Sequence, residues 1–481
     1  MTIDQRDQED MPTATNVAAF HNSKGFKPAA SVNEALQLLL GAINYERKVQ
    51  TPYTDQHYRL DRMRVLASVL GNPQDDYAVV HVAGSKGKGS ASHLVAAALQ
   101  NAGYPVGLYT SPHLVQLHER FRFNGQTASD EQIIELANSV LSASHQLLSE
   151  QPELGAPTFF ELSTAMAMLH FSRCRAKIAV LEVGLGGRLD STNICKPTVC
   201  CITSIGLDHE KLLGTTIEAI AGEKAGIIKN GVPVICSARH PDAQSVVKAK
   251  AKAMNAALKL IGRDYDVSWK IGNATNDREL NSSSRQGIAC VKQLPSGVTE
   301  ELNSCMIGAH HADNIAAAWN VIQQLAELGF GAGQSHVKQA VLHTQVPARL
   351  EVIARQPTQI LDTAHNPSSI EAGLAALEQH FPSQNIVAVF SPSRDKDCEA
   401  MLRLLLPRCS HIVLTEFQEN PRAFELGKLA ELAANLKPQA CQLHQAHEPK
   451  AAYQLALALA GSEHLIYATG SFFLAAEILA S

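Results

Sequence analysis

The sequence lacks the positive charge and the long apolar stretches that are typical of nucleic-acid-binding and membrane proteins. Lys and Arg together number 41 against 46 Asp and Glu, which gives a formal net charge of −5. Without an excess of positive charge, we expect no surface for nucleic acid or anionic membranes. No uninterrupted apolar stretch approaches the ~18 residues of a membrane span. An anionic substrate must therefore be held by a local cluster of positive groups.

Cysteine pairs with metal-binding or redox spacing are also missing. The ten cysteines are scattered, form no C-x-x-C pair, and lie mainly in apolar runs such as Val199–Ile202. The first ten residues are acidic and polar and lack the apolar core of a secretory signal. We therefore expect reduced thiols and a cytoplasmic location.

The sequence instead contains two series of alternating strand and helix patterns. Its 481 residues exceed what one hydrophobic core usually supports, so we expect two domains. Residues 1–30 are polar and aperiodic, which predicts a flexible tail. We place the first domain at 31–343 and the second at 349–481. The predicted fold class is α/β, with a mostly parallel sheet in the N-terminal domain and a smaller, Rossmann-like C-terminal domain.

In the first series, short β-branched apolar runs predict buried strands. These runs are Tyr77–Ala83, Ile178–Val183, Val199–Ile205 and Val232–Ile235. Helical periodicity begins at Ser31 and returns over Leu60–Leu70 and Ser90–Gln100. The section 264–304 is polar and irregular, and both hairpins and an insertion are open interpretations of it.

The second series predicts a smaller sheet covered by helices. Its strand candidates are Gln359–Thr363, Ile386–Phe390, His411–Thr415 and His464–Thr469. Its helix candidates are Ser369–His380, Glu399–Leu406, Leu426–Leu436 and Ala451–Ala460. A G-x-G-x-x-G fingerprint is missing from this series, so a dinucleotide-binding role is not supported.

A glycine-rich loop follows the first buried strand and precedes a helix. It consists of Gly84, Ser85, Lys86, Gly87, Lys88, Gly89 and Ser90. Glycines at such a turn let backbone N–H groups point at phosphate oxygens, and the helix adds its positive N-terminal end. Lys88 would reach the β- and γ-phosphates of ATP. The spacing departs from G-x-x-x-x-G-K-[ST], and such a turn can also be purely structural, but the strand-loop-helix context favours phosphate binding.

The same loop carries a family resemblance. The segment His81–Ser90 resembles the signature H-V-A-G-T-N-G-K-G-S of the folylpolyglutamate synthase and dihydrofolate synthase family, in the Mur ligase superfamily. Ser85 keeps the hydroxyl of the family Thr, whereas Lys86 replaces the bacterial Asn and is similar to the eukaryotic branch. The resemblance runs from Asn44–Arg47 to Ala468–Ser471. It implies an ATP-binding domain like the Mur ligase central domain at 31–343, and a glutamate ligase domain at 349–481.

Further motifs of this family imply the metal ligands. Ser111 corresponds to a magnesium-ligating serine, Glu182 precedes the segment G-L-G-G-R-L-D, and His209 follows the next strand. Glu182 ends a strand, where α/β sheets place ligands, and carboxylate oxygen suits Mg²⁺. Lys224, in E-K-A-G-I, matches a lysine that is carbamylated in the family and could hold a second Mg²⁺. A structural Glu or His and a solvated lysine are the plain alternatives.

The resemblance also assigns nucleotide contacts in the C-terminal part. Asn314 would face the adenine, and Arg349, in P-A-R-L-E, would contact ATP phosphate as a charge-assisted clamp. Asp362 and His365, in D-T-A-H-N-P, would reach toward the nucleotide. His311 stands where the family has Gln, which leaves the role of this position open. The Asn-Pro pair of the last motif also predicts a turn that opens a helix.

The chemistry that this resemblance implies is amide formation driven by ATP. A folate carboxylate would be activated as an acyl phosphate, and the amine of L-glutamate would displace phosphate. Lys88, Lys224, His209 and Arg349 are the catalytic candidates, and their task is positioning and charge stabilisation. The expected cofactors are ATP and Mg²⁺ at two sites, with a monovalent cation left open. We expect small-molecule substrates only and a monomer.

Two alternatives share part of this pattern. A Mur-type peptidoglycan ligase has the loop, the lysine and the chemistry, but usually carries a nucleotide-sugar-binding domain before the loop, and only 83 residues precede Gly84 here. A P-loop binding switch would need neither Lys224 nor the C-terminal Arg and Asp-x-x-His.

A second activity, joining the first glutamate to dihydropteroate, is also predicted. Thr158 and Asp190 occupy the places of the pterin-binding residues in bacterial bifunctional members, and both can make the required hydrogen bonds. Each has a plain alternative, Thr158 as a helix cap and Asp190 as a turn former. Lys86 stands against this activity, because it is similar to the eukaryotic enzymes that only extend existing folates.

Overall fold

The computed structural model describes residues 26–42, 54, 58–272, 286–382, 384–418, 420–461 and 464–480. Most of the predicted tail at 1–30, the motif Asn44–Arg47 and part of the irregular section 264–304 therefore lie outside the described residues. By contacts the chain divides into one unit of Met1–Lys88, Gly103–Ser111 and Arg120–Leu258, and a second of Gly89–Ala102, Pro112–Glu119 and Lys259–Ser481. In the described part of the chain, no helix is long and apolar enough to cross a membrane.

An eight-stranded sheet forms the centre of the first unit. Its strands are β1 (Ala78–Ala83), β2 (Val106–Tyr109), β3 (Phe121–Phe123), β4 (Gln126–Thr127), β5 (Ile178–Glu182), β6 (Val199–Ile202), β7 (Val234–Cys236) and β8 (Leu258–Leu260). Their order is β4-β3-β2-β5-β1-β6-β7-β8. Strands β2, β5, β1, β6 and β7 pair in parallel, and β3 and β4 join antiparallel at one edge. The predicted mostly parallel sheet is confirmed, and its central strands are buried along their length, as apolar runs require.

Helices alternate with these strands. They are α1 (Val32–Leu40), α2 (Leu60–Val69), α3 (Lys88–Asn101), α4 (Asp130–Glu150), α5 (Phe159–Arg173), α6 (Glu210–Leu213), α7 (Ile217–Ala225) and α8 (Pro241–Ala253). Side-chain caps fix several of their starts. Ser129 and Gln132 form a reciprocal capping box at α4, and Thr158 and Glu161 form another at α5.

A small antiparallel sheet follows β8 along the chain. It consists of β9 (Tyr265–Ile271), β10 (Gly287–Gln293) and β11 (Thr299–Ser304), with β10 in the centre. Of the two interpretations of 264–304, antiparallel strands are therefore what the described residues show. The helices α9 (Ala312–Glu327) and α10 (Gln334–His343) follow.

A six-stranded sheet carries the C-terminal part. Its strands are β12 (Glu351–Arg355), β13 (Thr358–Leu361), β14 (Asn385–Phe390), β15 (Cys409–Leu414), β16 (Gln442–Gln445) and β17 (His464–Thr469), in the order β12-β13-β17-β14-β15-β16. All pairs except β12 with β13 are parallel. The helices are α11 (Pro367–His380), α12 (Cys398–Leu405), α13 (Leu426–Leu436), α14 (Pro449–Ala460) and α15 (Phe472–Leu479). This confirms the predicted smaller α/β sheet.

Alternate residues of the strands in this sheet pack into two separate hydrophobic cores, one on each face. Ile412 and Leu414 of β15 pack into one apolar cluster, and Val413 between them packs into another. This follows from the period of two in a strand, which sends successive side chains to opposite faces. Helices therefore cover both faces of the sheet, and the ends of its strands are left for polar residues.

Candidate functional site

The glycine-rich loop connects the buried end of β1 to the first turn of α3. Gly84 fits because a Cβ at this position would lie 1.8 Å from Thr203 Oγ1, and Gly87 has a φ of 84°. The side chains of Thr203 and Ser204 both donate hydrogen bonds to the carbonyl of Lys86, at 2.8 and 3.0 Å. Residues after β6 therefore hold the loop in shape, which leaves a preorganised turn at the N-terminus of a helix.

Two lysines converge on one carbonyl of this loop. Lys88 Nζ lies 3.1 Å from the carbonyl oxygen of Gly84, and Lys224 Nζ donates to the same oxygen at 2.9 Å. Lys224 is 2% exposed. Burial, and then the charge of Lys88, lower the pKa of Lys224 to about 7. The loop therefore brings together a cationic group for phosphate and a buried amine that is partly neutral near neutral pH.

Two of the predicted metal ligands, Ser111 and Glu182, lie at the carboxyl ends of the neighbouring strands β2 and β5. The backbone N–H of Ser111 donates to Glu182 Oε2 at 3.2 Å, so these two residues are brought together. Glu182 is buried, and its carboxylate and the Ser111 hydroxyl are the oxygen donors that Mg²⁺ prefers. The residues present therefore fit the ion. Among the described residues, no group of three or more His, Cys, Asp or Glu has the arrangement of a metal site.

His209, the third predicted ligand, lies at a special backbone position. It precedes α6 with a φ of 51°, a left-handed conformation that is uncommon outside glycine. Its side chain is 53% exposed, and its Nε2 lies 3.9 Å from Asp208 Oδ1. The imidazole is thus accessible to solvent, and its convergence with Ser111 and Glu182 remains a prediction.

The segment after β5 packs against the helix that carries Lys224. A Cβ at Gly187 would lie 2.8 Å from the carbonyl oxygen of Glu223, so only glycine permits this approach. Arg188 donates its backbone N–H to the same carbonyl at 2.8 Å, and its guanidinium pairs with the Glu223 carboxylate at 3.1 Å. These contacts fix the end of α7 and thereby the position of Lys224.

Asp190 closes the turn of this segment. It is buried and accepts hydrogen bonds from the backbone N–H groups of Gly184, Leu185 and Thr192, each at 3.0 Å. Burial raises the pKa of Asp190, while these bonds oppose the shift. The turn-forming role considered from the sequence is therefore present, whereas the substrate-binding role of Asp190 stays a prediction.

Thr158 likewise has a structural role. Its hydroxyl accepts the N–H of Glu161 at 3.2 Å, and its own N–H donates to the Glu161 carboxylate at 2.7 Å. Glu161 also pairs with Arg62 at 2.8 Å, and the side chains of both are less than a tenth exposed. Thr158 thus caps α5 as the sequence alternative suggested, and pterin binding by Thr158 stays a prediction.

In the second unit, several predicted nucleotide residues share one neighbourhood. Asp362 follows β13, is buried, and accepts a hydrogen bond from the Tyr467 hydroxyl at 3.0 Å. Burial raises the pKa of Asp362, and the positive charge of Arg349 opposes this shift. His365 Nδ1 lies 2.9 Å from the carbonyl oxygen of Thr363. The charge of Arg349 thus acts on Asp362, and the contact with Thr363 orients the His365 ring.

The helix after this motif begins as the Asn-Pro pair predicts. Asn366 caps α11 by accepting the N–H of Ser369 at 3.0 Å, and Pro367 is the first helical residue. The motif therefore serves as a helix start as well as a candidate site.

Asn314 and His311 lie close together in sequence but in different environments. Asn314 is nearly buried in the first turn of α9, with its amide 3.5 Å from the carbonyl oxygen of His310. The His311 ring is buried and lies 4.2 Å, centroid to centroid, from the His310 ring. Neither ring nitrogen of His311 has a hydrogen-bond partner. Burial, His310 and Arg349 lower the pKa of His311 well below its usual value, so the ring is neutral.

The sequence did not predict the roles of two aromatic residues near Asp362 and Arg349. Tyr467 holds Asp362, as described above, and the Phe472 ring lies 4.9 Å below the Arg349 guanidinium. The position of Phe472 directly after the A-T-G-S motif could have drawn attention to it. No local pattern, however, links Phe472 to Arg349, which lies more than a hundred positions earlier.

The comparisons with known proteins agree with this architecture. Residues 82–322 match the Mur ligase middle domain, and residues 348–472 match the Mur ligase glutamate ligase domain. The dihydrofolate synthase/folylpolyglutamate synthase of Bacillus subtilis is 32% identical, over 87% of this chain and 94% of the relative. The folylpolyglutamate synthase of Lacticaseibacillus casei is 34% identical, over 75% of this chain and 82% of the relative.

Solved structures give the same result. The folylpolyglutamate synthase of Thermotoga maritima is 28% identical with a TM-score of 0.77, covering 93% of this chain and 96% of that one. The Mycobacterium tuberculosis enzyme complexed with ADP is 27% identical with a TM-score of 0.79, covering 93% and 97%. The chain therefore belongs to the dihydrofolate synthase and folylpolyglutamate synthase family of Mur ligases.

Proposed function

We propose that this protein is an ATP-dependent ligase that joins L-glutamate to a folate carboxylate through an acyl phosphate. The observation that carries the proposal is the convergence of Lys88 and Lys224 on the carbonyl of Gly84, at the N-terminus of α3. This arrangement combines a phosphate-binding turn with a buried amine suited to modification. The names of the relatives support the same reaction.

In the proposed reaction, a carboxylate oxygen of the folate attacks the γ-phosphorus of ATP, and ADP leaves. The amine of glutamate then attacks the acyl carbon, loses a proton, and phosphate leaves. The backbone N–H groups of the loop and Lys88 bind the phosphates, and Arg349 stabilises the charge on the transferred group. Because an acyl phosphate is hydrolysed by water, the site must also exclude water during the reaction.

Mg²⁺ is the cofactor proposed beside ATP. Ser111, Glu182 and His209 would hold one ion and Lys224, once carbamylated, a second. The ion supplies positive charge that offsets the charge of the phosphate oxygens. This chain contributes the orientation of the ligands, since the Ser111 backbone already fixes one oxygen of Glu182.

Carbamylation of Lys224 is supported by its environment. CO₂ reacts with a neutral amine, and the pKa of about 7 leaves a large neutral fraction at physiological pH. The product is an anionic oxygen donor in place of a cation, which relieves the repulsion from Lys88. We propose that the carbamate is the active state.

The remaining assignments complete the proposal. Asn314, in a proposed ATP-binding domain at 31–343, contacts the nucleotide. Asp362 and His365, in a proposed glutamate ligase domain at 349–481, contact it as well. The protein acts as a cytoplasmic monomer, which the ten free cysteines suit.

A second candidate activity is dihydrofolate synthesis from dihydropteroate. The observation that favours it is the double name of the Bacillus subtilis relative, with an Escherichia coli structure in complex with DHPP and ADP at 26% identity and a TM-score of 0.76. Asp190 and Thr158 are the proposed pterin contacts. Supplying dihydropteroate, glutamate and ATP to the pure protein tests it, and failure to form dihydrofolate would restrict the enzyme to polyglutamylation.

The main activity is tested by ADP release from the purified protein. We expect release that requires both tetrahydrofolate and L-glutamate. Release that requires a peptidoglycan precursor instead would indicate a Mur-type ligase. ATP hydrolysis without any dependence on glutamate would indicate a nucleotide-binding switch.

A further inference from the structure

We propose that Phe472 is a positioning residue that holds both Arg349 and His365 in their nucleotide-facing orientations. The inference rests on the proposed function, because Arg349 and His365 are assigned there to ATP. Phe472 itself belongs neither to the glycine-rich loop nor to the proposed metal site.

The ring of Phe472 contacts both groups. The Arg349 guanidinium carbon lies 4.9 Å from the ring centroid, within the range of a cation–π contact. The His365 ring lies 6.0 Å away, centroid to centroid, with the two planes inclined at 46°. One aromatic side chain therefore borders two polar groups from different segments of the chain.

The contact with Phe472 restricts the orientation of the Arg349 guanidinium. Arg349 is exposed, and an exposed arginine side chain can adopt many rotamers, so each contact that limits them favours one orientation. A flat aromatic face restricts the guanidinium without using any of its N–H donors, so Phe472 does not compete with phosphate oxygens for them. A carboxylate in the same place would compete with the phosphate instead.

Phe472 is itself firmly placed. It is the first residue of α15, and the preceding Ser471 is buried and caps this helix by accepting the N–H of Leu474 at 3.1 Å. Gly470 donates its N–H to the carbonyl of Ala364 at 2.9 Å, directly beside His365. The ring and the His365 segment are thus joined by the backbone, and the ring does not depend on Arg349 for its position.

The neighbouring Phe473 provides a matched control. It is also half-buried and lies in the same helical turn, but its ring packs against Phe417 at a centroid distance of 4.9 Å. A change at Phe473 therefore removes a similar aromatic side chain from α15 without touching the proposed role.

The test compares Phe472→Leu, Phe472→Tyr and Phe473→Leu in the full-length protein. Affinity for a non-hydrolysable ATP analogue, which keeps the γ-phosphate, is measured by titration, and kcat and KM for ATP by ADP release. An exposed cation–π contact of about 0.5–1 kcal/mol corresponds to a roughly two- to fivefold loss. We expect that loss of affinity for the ATP analogue, and a matching rise in KM for ATP, in Phe472→Leu. Phe472→Tyr should restore both values, and Phe473→Leu should keep them.

The double variant Phe472→Leu with Arg349→Ala decides whether the effect passes through Arg349. We expect the Phe472 change to add much less to the loss of affinity for the ATP analogue when the Arg349 side chain is already absent. Full additivity, an unchanged affinity in Phe472→Leu, or an equal loss in Phe473→Leu would overturn the proposal. Absence of glutamate-dependent ADP release in the unaltered protein would instead refute the proposed function, while the titrations with the ATP analogue would still decide the role of Phe472.

Discussion

Lys224 donates a hydrogen bond of 2.9 Å to the carbonyl of Gly84, in the phosphate loop. A buried lysine that binds a backbone carbonyl beside a second lysine is in an unfavourable environment for its charge. A carbamate at Nζ would remove this positive charge. The contact therefore supports the proposal that Lys224 acts as a carbamate rather than as a cation.

The carbamylation of Lys224 should depend on pH in a defined direction. Because the pKa of this amine is about 7, the neutral form that reacts with CO₂ grows as the pH rises through 7 and is lost below it. We expect carbamate occupancy, measured by ¹³C NMR with labelled bicarbonate, to fall in acid and to be restored by more bicarbonate. Occupancy that is independent of both would contradict this account.

A substitution at Lys224 gives a complementary prediction. Lys224→Ala should lose most ligase activity, and a small added carboxylate should restore part of it by supplying the missing anionic oxygen. Full activity of an enzyme whose Lys224 is shown to be unmodified would refute the role of the carbamate.

Lys88→Ala should abolish ligation while leaving the fold intact. Lys88 is assigned to phosphate charge rather than to packing, so a loss of more than about 10²-fold in kcat is expected. The thermal unfolding midpoint should change little. Lys177→Ala, which removes an exposed lysine just before β5, is the control and should retain activity. A Lys88 variant that keeps most of its activity would disprove the assignment of the loop.

Glu182→Gln should raise the concentration of Mg²⁺ needed for half-maximal activity. The amide keeps the size of the side chain but removes the charge that attracts the ion. Glu119→Gln is the control for the Mg²⁺ titration. The Glu119 carboxylate accepts hydrogen bonds from the backbone N–H groups of residues 114–116 and is not a predicted ligand. An equal Mg²⁺ requirement in the two variants would argue against Glu182 as a ligand.

Asp190→Ala should have two separable effects. Loss of the carboxylate leaves three backbone N–H groups without their acceptor, which should lower the free energy of unfolding by about 1–3 kcal/mol. If Asp190 also binds the pterin, dihydrofolate synthesis should fall more than glutamylation of tetrahydrofolate at a temperature where the variant is folded. Equal losses in both reactions would leave only the structural role.

The strength of the local hydrophobic patterns explains how much of the fold could be predicted from the sequence. The strands of the first sheet are runs of β-branched apolar residues, so β1, β5 and β6 were predicted within a few residues of their observed ends. Strand β16 was missed, because Gln442–Gln445 reads Q-L-H-Q and lies at the sheet edge, where burial does not demand apolar residues.

The contacts of the candidate site were harder to predict. The sequence motifs supplied residues such as Lys88 and Asp362, but not which side chains hold them. The placements of Phe472 on Arg349 and of Thr203 against Gly84 depend on contacts between distant segments, which only the fold creates. Local patterns also could not decide whether Thr158 serves as a cap, as a ligand contact or as both.

Transfer of a carboxylate oxygen from the folate to phosphate tests most directly whether ligation proceeds through an acyl phosphate. A tetrahydrofolate labelled with ¹⁸O in its free carboxylates is incubated with ATP and L-glutamate, and the released phosphate is analysed by mass spectrometry. Ligation through an acyl phosphate predicts one ¹⁸O in phosphate for each glutamate added. Phosphate without label, or ADP release that does not require glutamate, would contradict the account.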